Sequence, residues 1–223
     1  MKIIAVSDLH GNLIKIKDQC GVFVIAGDWS PLYIQHDCAE VFQWIDTTFI
    51  PWMMSINADH VIFIPGNHDI VCESPTFDKD IQIILKLHNS ENKIHYLNRS
   101  SVMIDHVKYY GLPDSESPNG WAFSRPFNVD YTFDEDTDIL ITHQPPKVGN
   151  VGFVSAFNRE FGSTDLRDKL ITSNVGLNIC GHIHTGEHGE HILNRTNGIT
   201  RVYNVSILDE RYKIAYSPTV IIA

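Results

Sequence analysis

The stretch Lys2-Ile3-Ile4-Ala5-Val6-Ser7-Asp8-Leu9-His10-Gly11-Asn12 passes from a short apolar run straight into Asp, His, Gly and Asn. A continuous run of this length, bounded by polar residues, suits a strand buried on both faces. The same transition recurs four times. Val22 to Ala26 gives way to Gly27-Asp28, and Val61 to Ile64 to Gly66-Asn67-His68-Asp69. Ile139 to Ile141 gives way to Thr142-His143-Gln144-Pro145-Pro146, and Leu177 to Ile179 to Gly181-His182-Ile183-His184. In open α/β sheets, ligands bind beyond the carboxyl ends of the strands. Five strand ends therefore aim Asp8, Asp28, Asn67 and the histidines His10, His68, His143, His182 and His184 toward one crevice.

Amphipathic stretches lie between the runs. Asp37 to Met54 carries Val41, Phe42, Trp44, Ile45 and Phe49 near helical spacing, and Ile81, Ile84, Leu85 and His88 repeat the pattern. Thr164 to Ile171 predicts another helix, N-capped by Ser163 or Thr164. Strand–helix alternation predicts α/β layers. Further β-like pieces are Ser101 to Ile104 with Val107 to Gly111, Ile199 to Val205, and Thr219 to Ile222. Leu112 to Asn128, with three prolines and Trp121, reads as a long ordered loop. Asp130 to Asp138 carries five acids and reads as a solvated surface turn. No repeat, low-complexity tract or linker divides the chain, so one domain over 1–223 is expected.

Composition narrows the function classes. At 223 residues, with 43% hydrophobic and 20% charged, the chain is neither disordered nor fibrous. Its net charge of −10 gives no counterion-release advantage on a polyanion, so stable nucleic-acid binding is not expected. No stretch of about 18 apolar residues predicts a membrane span. Asp8 comes too early for a signal-peptide apolar region. Cys20, Cys38, Cys72 and Cys180 form no Cys-x-x-Cys and fit reduced thiols, hence a cytoplasmic location.

Oxygen and imidazole donors without thiolate suit hard or borderline divalent metals. Eight groups are too many for one ion. They suit two ions sharing a carboxylate, which about 3.5–4 Å apart clamp both the attacking and leaving oxygens of a phosphoryl centre. Taken singly, Asp-x-His is more often a turn than a ligand pair, and Gly-Asp is nearly uninformative. Gly-Asn-His-Asp reads as readily as a plain turn, whereas Gly-His-x-His is moderately specific. Their order, each after an apolar run, is what argues against chance. The other histidines (His36, His60, His88, His95, His106, His188 and His191) read as surface or supporting residues. In the long loop, Trp121 and Phe123 can stack on a base and Arg125 can pair with a phosphate. The plainer alternative packs the aromatics onto the core.

The ordered set Asp8-x-His10, Gly27-Asp28, Gly66-Asn67-His68-Asp69, His143 and Gly181-His182-Ile183-His184 resembles the calcineurin-like metallophosphoesterase superfamily. The resemblance implies an α/β fold, a four-layer αββα sandwich of two facing mixed β-sheets flanked by helices. It implies one metal held by Asp8, His10, Asp28 and His184, and a second by Asp28, Asn67, His143 and His182, with Asp28 as the bridge. It makes Asn67 and His68 catalytic and substrate-binding. His68 acts near the leaving group, and a hydroxide bridging the two metals is the nucleophile. Arg125 is added to them as a substrate-binding candidate.

Departures from the pattern set branches aside. Ser/Thr protein phosphatases follow Gly-Asp with x-Val-Asp-Arg-Gly, whereas Trp29-Ser30-Pro31-Leu32 stands here. Pro31 replaces the Asp that would pair with the catalytic His, leaving Asp69 or another group to orient His68. Pro31 also stands where purple acid phosphatases place a Tyr ligand. Trp121-Ala122-Phe123, Thr142 to Pro146, Gly181 to Gly186 and Asn204-Val205-Ser206 are similar to small metallophosphoesterase-domain proteins related to class III cyclic nucleotide phosphodiesterases. That likeness implies two divalent ions, Mn²⁺ first, with Fe, Zn, Co or Mg as alternatives. It implies a small phosphate-ester substrate of nucleotide type. The competing expectations are a phosphomonoesterase and a catalytically weak metal-binding scaffold, and the complete ligand set speaks against the scaffold.

Overall fold

The computed structural model describes the chain apart from residues 90, 117–119 and 127–129, so the Leu112 to Asn128 loop falls partly outside the described residues. Five strands make a first sheet: β1 (Lys2–Val6), β2 (Cys20–Ala26), β3 (Ala58–Ile64), β4 (Ile94–Tyr96) and β13 (Thr219–Ile222), in the order β13-β1-β2-β3-β4. β1 to β4 run parallel, and β13 lies antiparallel beside β1. A second sheet contains β5 (Ser100–Ile104), β6 (Val107–Leu112), β7 (Ile139–Thr142), β10 (Leu177–Cys180), β11 (His191–Arg195) and β12 (Gly198–Asn204). Its order is β11-β12-β10-β7-β6-β5, with a parallel centre and an antiparallel hairpin at each edge. A small hairpin of β8 (Phe153–Val154) and β9 (Arg159–Glu160) stands apart.

Period-2 alternation explains the layers. Ile3 and Ala5 of β1, with Val22 and Val24 of β2, meet Ile139 and Ile141 of β7 and Ile179 of β10 between the sheets. Ile4, Val6, Phe23 and Ile25 point the other way, onto α1 (Cys38–Trp44), α2 (Ile50–Ser55) and α3 (Phe77–His88). Leu140 and Cys180 face outward onto Leu166 and Leu170 of α4 (Thr164–Ile171). The four-layer αββα sandwich is thus the observed architecture. No helix among the described residues is long and apolar enough to cross a membrane.

The helix expected over 37–54 is not continuous. Asp37 caps α1, its Oδ1 accepting the Glu40 N–H at 3.0 Å. Ile45–Phe49 then forms a π turn, closed by Ile50 N–H donating to the Ile45 carbonyl. Pro51 gives the reason: it has no N–H, and its ring would collide with the Thr47 carbonyl in α register. The turn brings the fully buried Phe49 into a stack with buried Trp29 and half-buried Trp44 and Trp52 at 5.0, 5.1 and 5.8 Å. Ser163 is the N-cap of α4, its Oγ accepting the Leu166 N–H. The acidic segment is more than a solvated turn. Lys108 Nζ bridges Asp134 and Asp136 at 2.7 and 2.6 Å, and Asp138 accepts the Lys108 N–H, fastening the segment to β6.

His60 and His95 meet on neighbouring strands, Nδ1 to Nε2 at 3.1 Å. Burial first, and His60 second, push His95 down to about 4. The folded state therefore binds fewer protons there than the unfolded chain, so stability falls as pH drops from about 6.5 toward 4. Urea midpoints over that range should fall less steeply in His95→Gln than in the wild type. Parallel curves would remove His95 as a contributor.

Candidate metal centre

The polar residues gather at the carboxyl ends of β1, β2 and β3 in one sheet and of β7 and β10 in the other. Past β1 the chain keeps bonding to the segment after β2: Asp8 N–H donates to Gly27 O, His10 N–H to Asp28 O, and Gly11 N–H to Trp29 O. This paired path aims both Asp8 and His10 inward, at the cost of left-handed backbone. Asp8 has φ 57°, His10 43°, Asp28 53° and His182 69°. Non-glycine residues hold this region uncommonly, Asp and His more often than most, and four of them gathered at one site mark it as a place where the fold carries strain. Two glycines leave the room needed. A Cβ on Gly66 would collide with the Asp28 carboxylate, and one on Gly27, itself at φ 97°, would strike the His143 ring.

Asp8, His10 and His184 offer donor atoms all within 4.8 Å of one another, and so do Asp8, Asp28 and His143. One oxygen joins the groups: Asp28 Oδ2 lies 3.7 Å from His10 Nε2 and 3.3 Å from His143 Nε2. Asn67 Oδ1 lies 2.9 Å from His143 Nε2, and the His182 ring 5.0 Å from the His143 ring. All seven residues expected as ligands are thus brought together. Asp8 stands in both donor groups, and His182 stands beside the second rather than inside it.

Outer contacts fix which nitrogen faces the centre. His143 Nδ1 donates to the Ala26 carbonyl and His184 Nδ1 to the Asp209 carbonyl, each at 3.0 Å, which leaves both Nε2 atoms inward. The Asn204 amide donates to the Val151 and Ile183 carbonyls at 3.0 and 2.8 Å, clamping the Gly-His-x-His loop. Burial alone would raise Asp8 and Asp28, but His184 beside Asp8 and His143 beside Asp28 hold both carboxyls well below the usual range. Those carboxylates overcome burial at the two imidazoles and raise them to about 9. Burial takes His10 down to about 4 and His182 to about 3.

These residues fit divalent cations. Both ring nitrogens of buried His10 have no hydrogen-bond partner among the described residues. Asn67 Oδ1 and His143 Nε2 lie 2.9 Å apart, so a cation could take both once that nitrogen gives up its proton. Cation binding at His143 and His184 would displace the protons that their neighbouring carboxylates favour.

His68 is not oriented by Asp69. Asp69 is fully buried and accepts backbone N–H groups from Gly66 and Ser30 at 2.7 and 2.9 Å, so it closes the turn instead. Gln35 takes the role, its Oε1 lying 3.0 Å from His68 Nδ1, and no sequence motif points to it. The His68 backbone N–H donates to Asp28 Oδ1 at 2.7 Å, and Trp121 packs on its ring at 4.2 Å. Phe123 is buried beneath the Arg99 guanidinium. Arg125 departs from the substrate-binding expectation. Its guanidinium pairs with Asp114 at 3.2 Å, donates to the Asp130 carbonyl and covers Tyr131, and it lines neither cavity beside the centre.

Known proteins place this arrangement. The family model described as calcineurin-like phosphoesterase matches residues 1–186. The human protein named metallophosphoesterase domain-containing protein 1 is 27% identical, over 99% of this chain and 70% of its own length. A UPF0046 protein of Caenorhabditis elegans is 24% identical, over 99% of this chain and 80% of its own. The crystal structure of TT1561 of Thermus thermophilus shares the fold, with TM-score 0.53 and 11% identity over 97% of this chain and 98% of that one. With five strand ends meeting in one dinuclear-type donor set and a family match spanning most of its length, the chain belongs to the calcineurin-like phosphoesterase family.

Proposed function

We propose that this metal-dependent phosphoester hydrolase acts on phosphodiesters of nucleotide-like size. The observation that carries the reading is a pair of chambers flanking the centre. One of about 840 Å³ is lined by Trp121, Lys147, Arg159 and Phe161, the other of about 240 Å³ by Asp28, His184, Glu210 and Tyr212. They meet at Asn67, His68, His182 and Ile183. A monoester has one organic arm to house, whereas a diester has two. Phosphomonoester hydrolysis remains the second reading, carried by the same donor set.

Asp8, His10, Asp28 and His184 would hold one ion, and Asp28, Asn67, His143 and His182 the other. Mn²⁺ is the favoured metal, with Fe, Zn, Co or Mg compatible with the same donors. When bound, such ions lower the pKa of water toward neutrality and stabilise charge on phosphoryl oxygens. His68 is the proton-handling side chain: Gln35 accepts its Nδ1–H, so in the imidazolium form the Nε2–H is the proton delivered to the departing oxygen. Trp121 against its ring limits water on the larger chamber's side. Four free cysteines, three of them buried, support a reducing, cytoplasmic setting.

Chelator-stripped protein reloaded with Mn²⁺ should cleave bis-p-nitrophenyl phosphate in preference to p-nitrophenyl phosphate. The reverse preference would leave a phosphomonoesterase. Asp28→Asn should lose both metal equivalents together in elemental analysis, because Asp28 Oδ2 stands between His10 Nε2 of one group and His143 Nε2 of the other. Retention of two equivalents would refute the shared carboxylate. His68→Ala should keep its metals and lose kcat by about 10²–10⁴ on an ester with a poor leaving group. Gln35→Ala should lose a smaller factor, and the double variant should match His68→Ala. Independent, multiplying losses would separate Gln35 from His68.

A further inference from the structure

The turn around residues 208–214 lies outside the family-matched segment, yet it reaches the metal centre twice. Leu208 and Ile214 bridge antiparallel. Asp209 closes the turn, its N–H donating to Lys213 O and its carboxylate accepting the N–H groups of Arg211 and Lys213 at 2.8 and 2.9 Å. Its backbone carbonyl accepts both the Tyr212 N–H at 2.9 Å and His184 Nδ1 at 3.0 Å. One oxygen thus fixes the tip of the turn and the ring of a candidate ligand.

Tyr212 sits at that tip with φ 58°, a left-handed conformation costly for a bulky residue. Its ring stands edge-on to His10 at 5.0 Å and to His184 at 5.4 Å. It is 42% exposed and lines the smaller chamber beside Glu210. Core packing does not explain a half-exposed aromatic in strained backbone. Gly, Asn or Asp would satisfy the turn with less strain, so the turn itself does not require Tyr. What Tyr adds is a flat apolar face at the chamber mouth. The rings Tyr212, His10, His68 and Trp121 follow one another at 5.0, 4.9 and 4.2 Å, so the two apolar faces stand at opposite ends of the row.

We propose that Tyr212 is a specificity-determining wall that takes the retained arm of a phosphodiester, the organic group that stays on phosphorus, and favours a planar arm over a small one. Trp121, packed on His68, faces the departing arm in the larger chamber. The proposal rests on the diester reading and deepens it.

Phenyl p-nitrophenyl phosphate and methyl p-nitrophenyl phosphate share a leaving group and differ only in the retained arm. The Mn²⁺-loaded chain should favour the phenyl ester about tenfold in kcat/KM, the worth of partly burying one ring. Tyr212→Gly should bring that ratio toward one, chiefly through KM for the phenyl ester, with two metal equivalents retained. Its Tm should stay level or rise, because glycine relieves the left-handed backbone. Calorimetric titration with diphenyl phosphate reads the wall without turnover and should show weaker binding to the variant. An unchanged ester ratio in folded, metal-loaded Tyr212→Gly overturns the proposal. So does a fall in Tm matched by lost metal, which makes Tyr212 a structural prop for His10 and His184. A wild type that cleaves neither diester but does cleave p-nitrophenyl phosphate overturns the diester reading, and the retained arm falls with it.

Discussion

Two carboxylates buried at the ends of neighbouring parallel strands set the terms for the rest of this molecule. Asp8 is fully buried and Asp28 nearly so. Burying unpaired charge is prohibitively costly, so everything around them supplies compensation. Backbone N–H groups of His182 and His68 point at them, and His184 and His143 stand beside them. The left-handed residues, the absent Cβ atoms at Gly27 and Gly66 and the carbonyl partners of the outer imidazole nitrogens all serve that compensation. Divalent cations bound among these donors would complete it.

The α/β layering was legible because the central strands are buried on both faces, whereas the two-sheet sandwich followed only from the family resemblance of the ordered motifs. Periodicity alone does not separate a short apolar run such as Val22 to Ala26 from a buried helix segment; its length, its β-branched residues and the glycine that bounds it favour the strand. β4 and the β8–β9 hairpin were not legible, being only two or three residues per strand with no periodicity to show. The break at Ile45–Phe49 hides for a different reason. Apolar spacing continues through it, and Pro51 betrays it only once its missing donor is traced to a particular carbonyl.

The convergence of eight donors was legible for a related reason, since each follows a buried run, whereas their division into seven ligands and His68 followed only from the family resemblance. Gln35, Asp209 and Tyr212 carry no such signal. They act through tertiary approach from loops whose course depends on the whole fold. Arg125 shows the converse. An arginine in a loop near the site looks available, and only the structure reveals that Asp114, Asp130 and Tyr131 already hold it. Pro31 tells a sequence reader that a pairing Asp is missing but not that a neutral amide replaces it.

The donors come from both sheets: Asp8, Asp28 and Asn67 follow strands of the first, and His143, His182 and His184 follow strands of the second. A cation held among them is therefore a cross-link between the halves of the sandwich. Any ligand bound only by the folded state adds to its stability through mass action. Metal bound there would thus support the fold as well as the chemistry. Without the ion, the two sheets would be held together at this end by packing and hydrogen bonds alone.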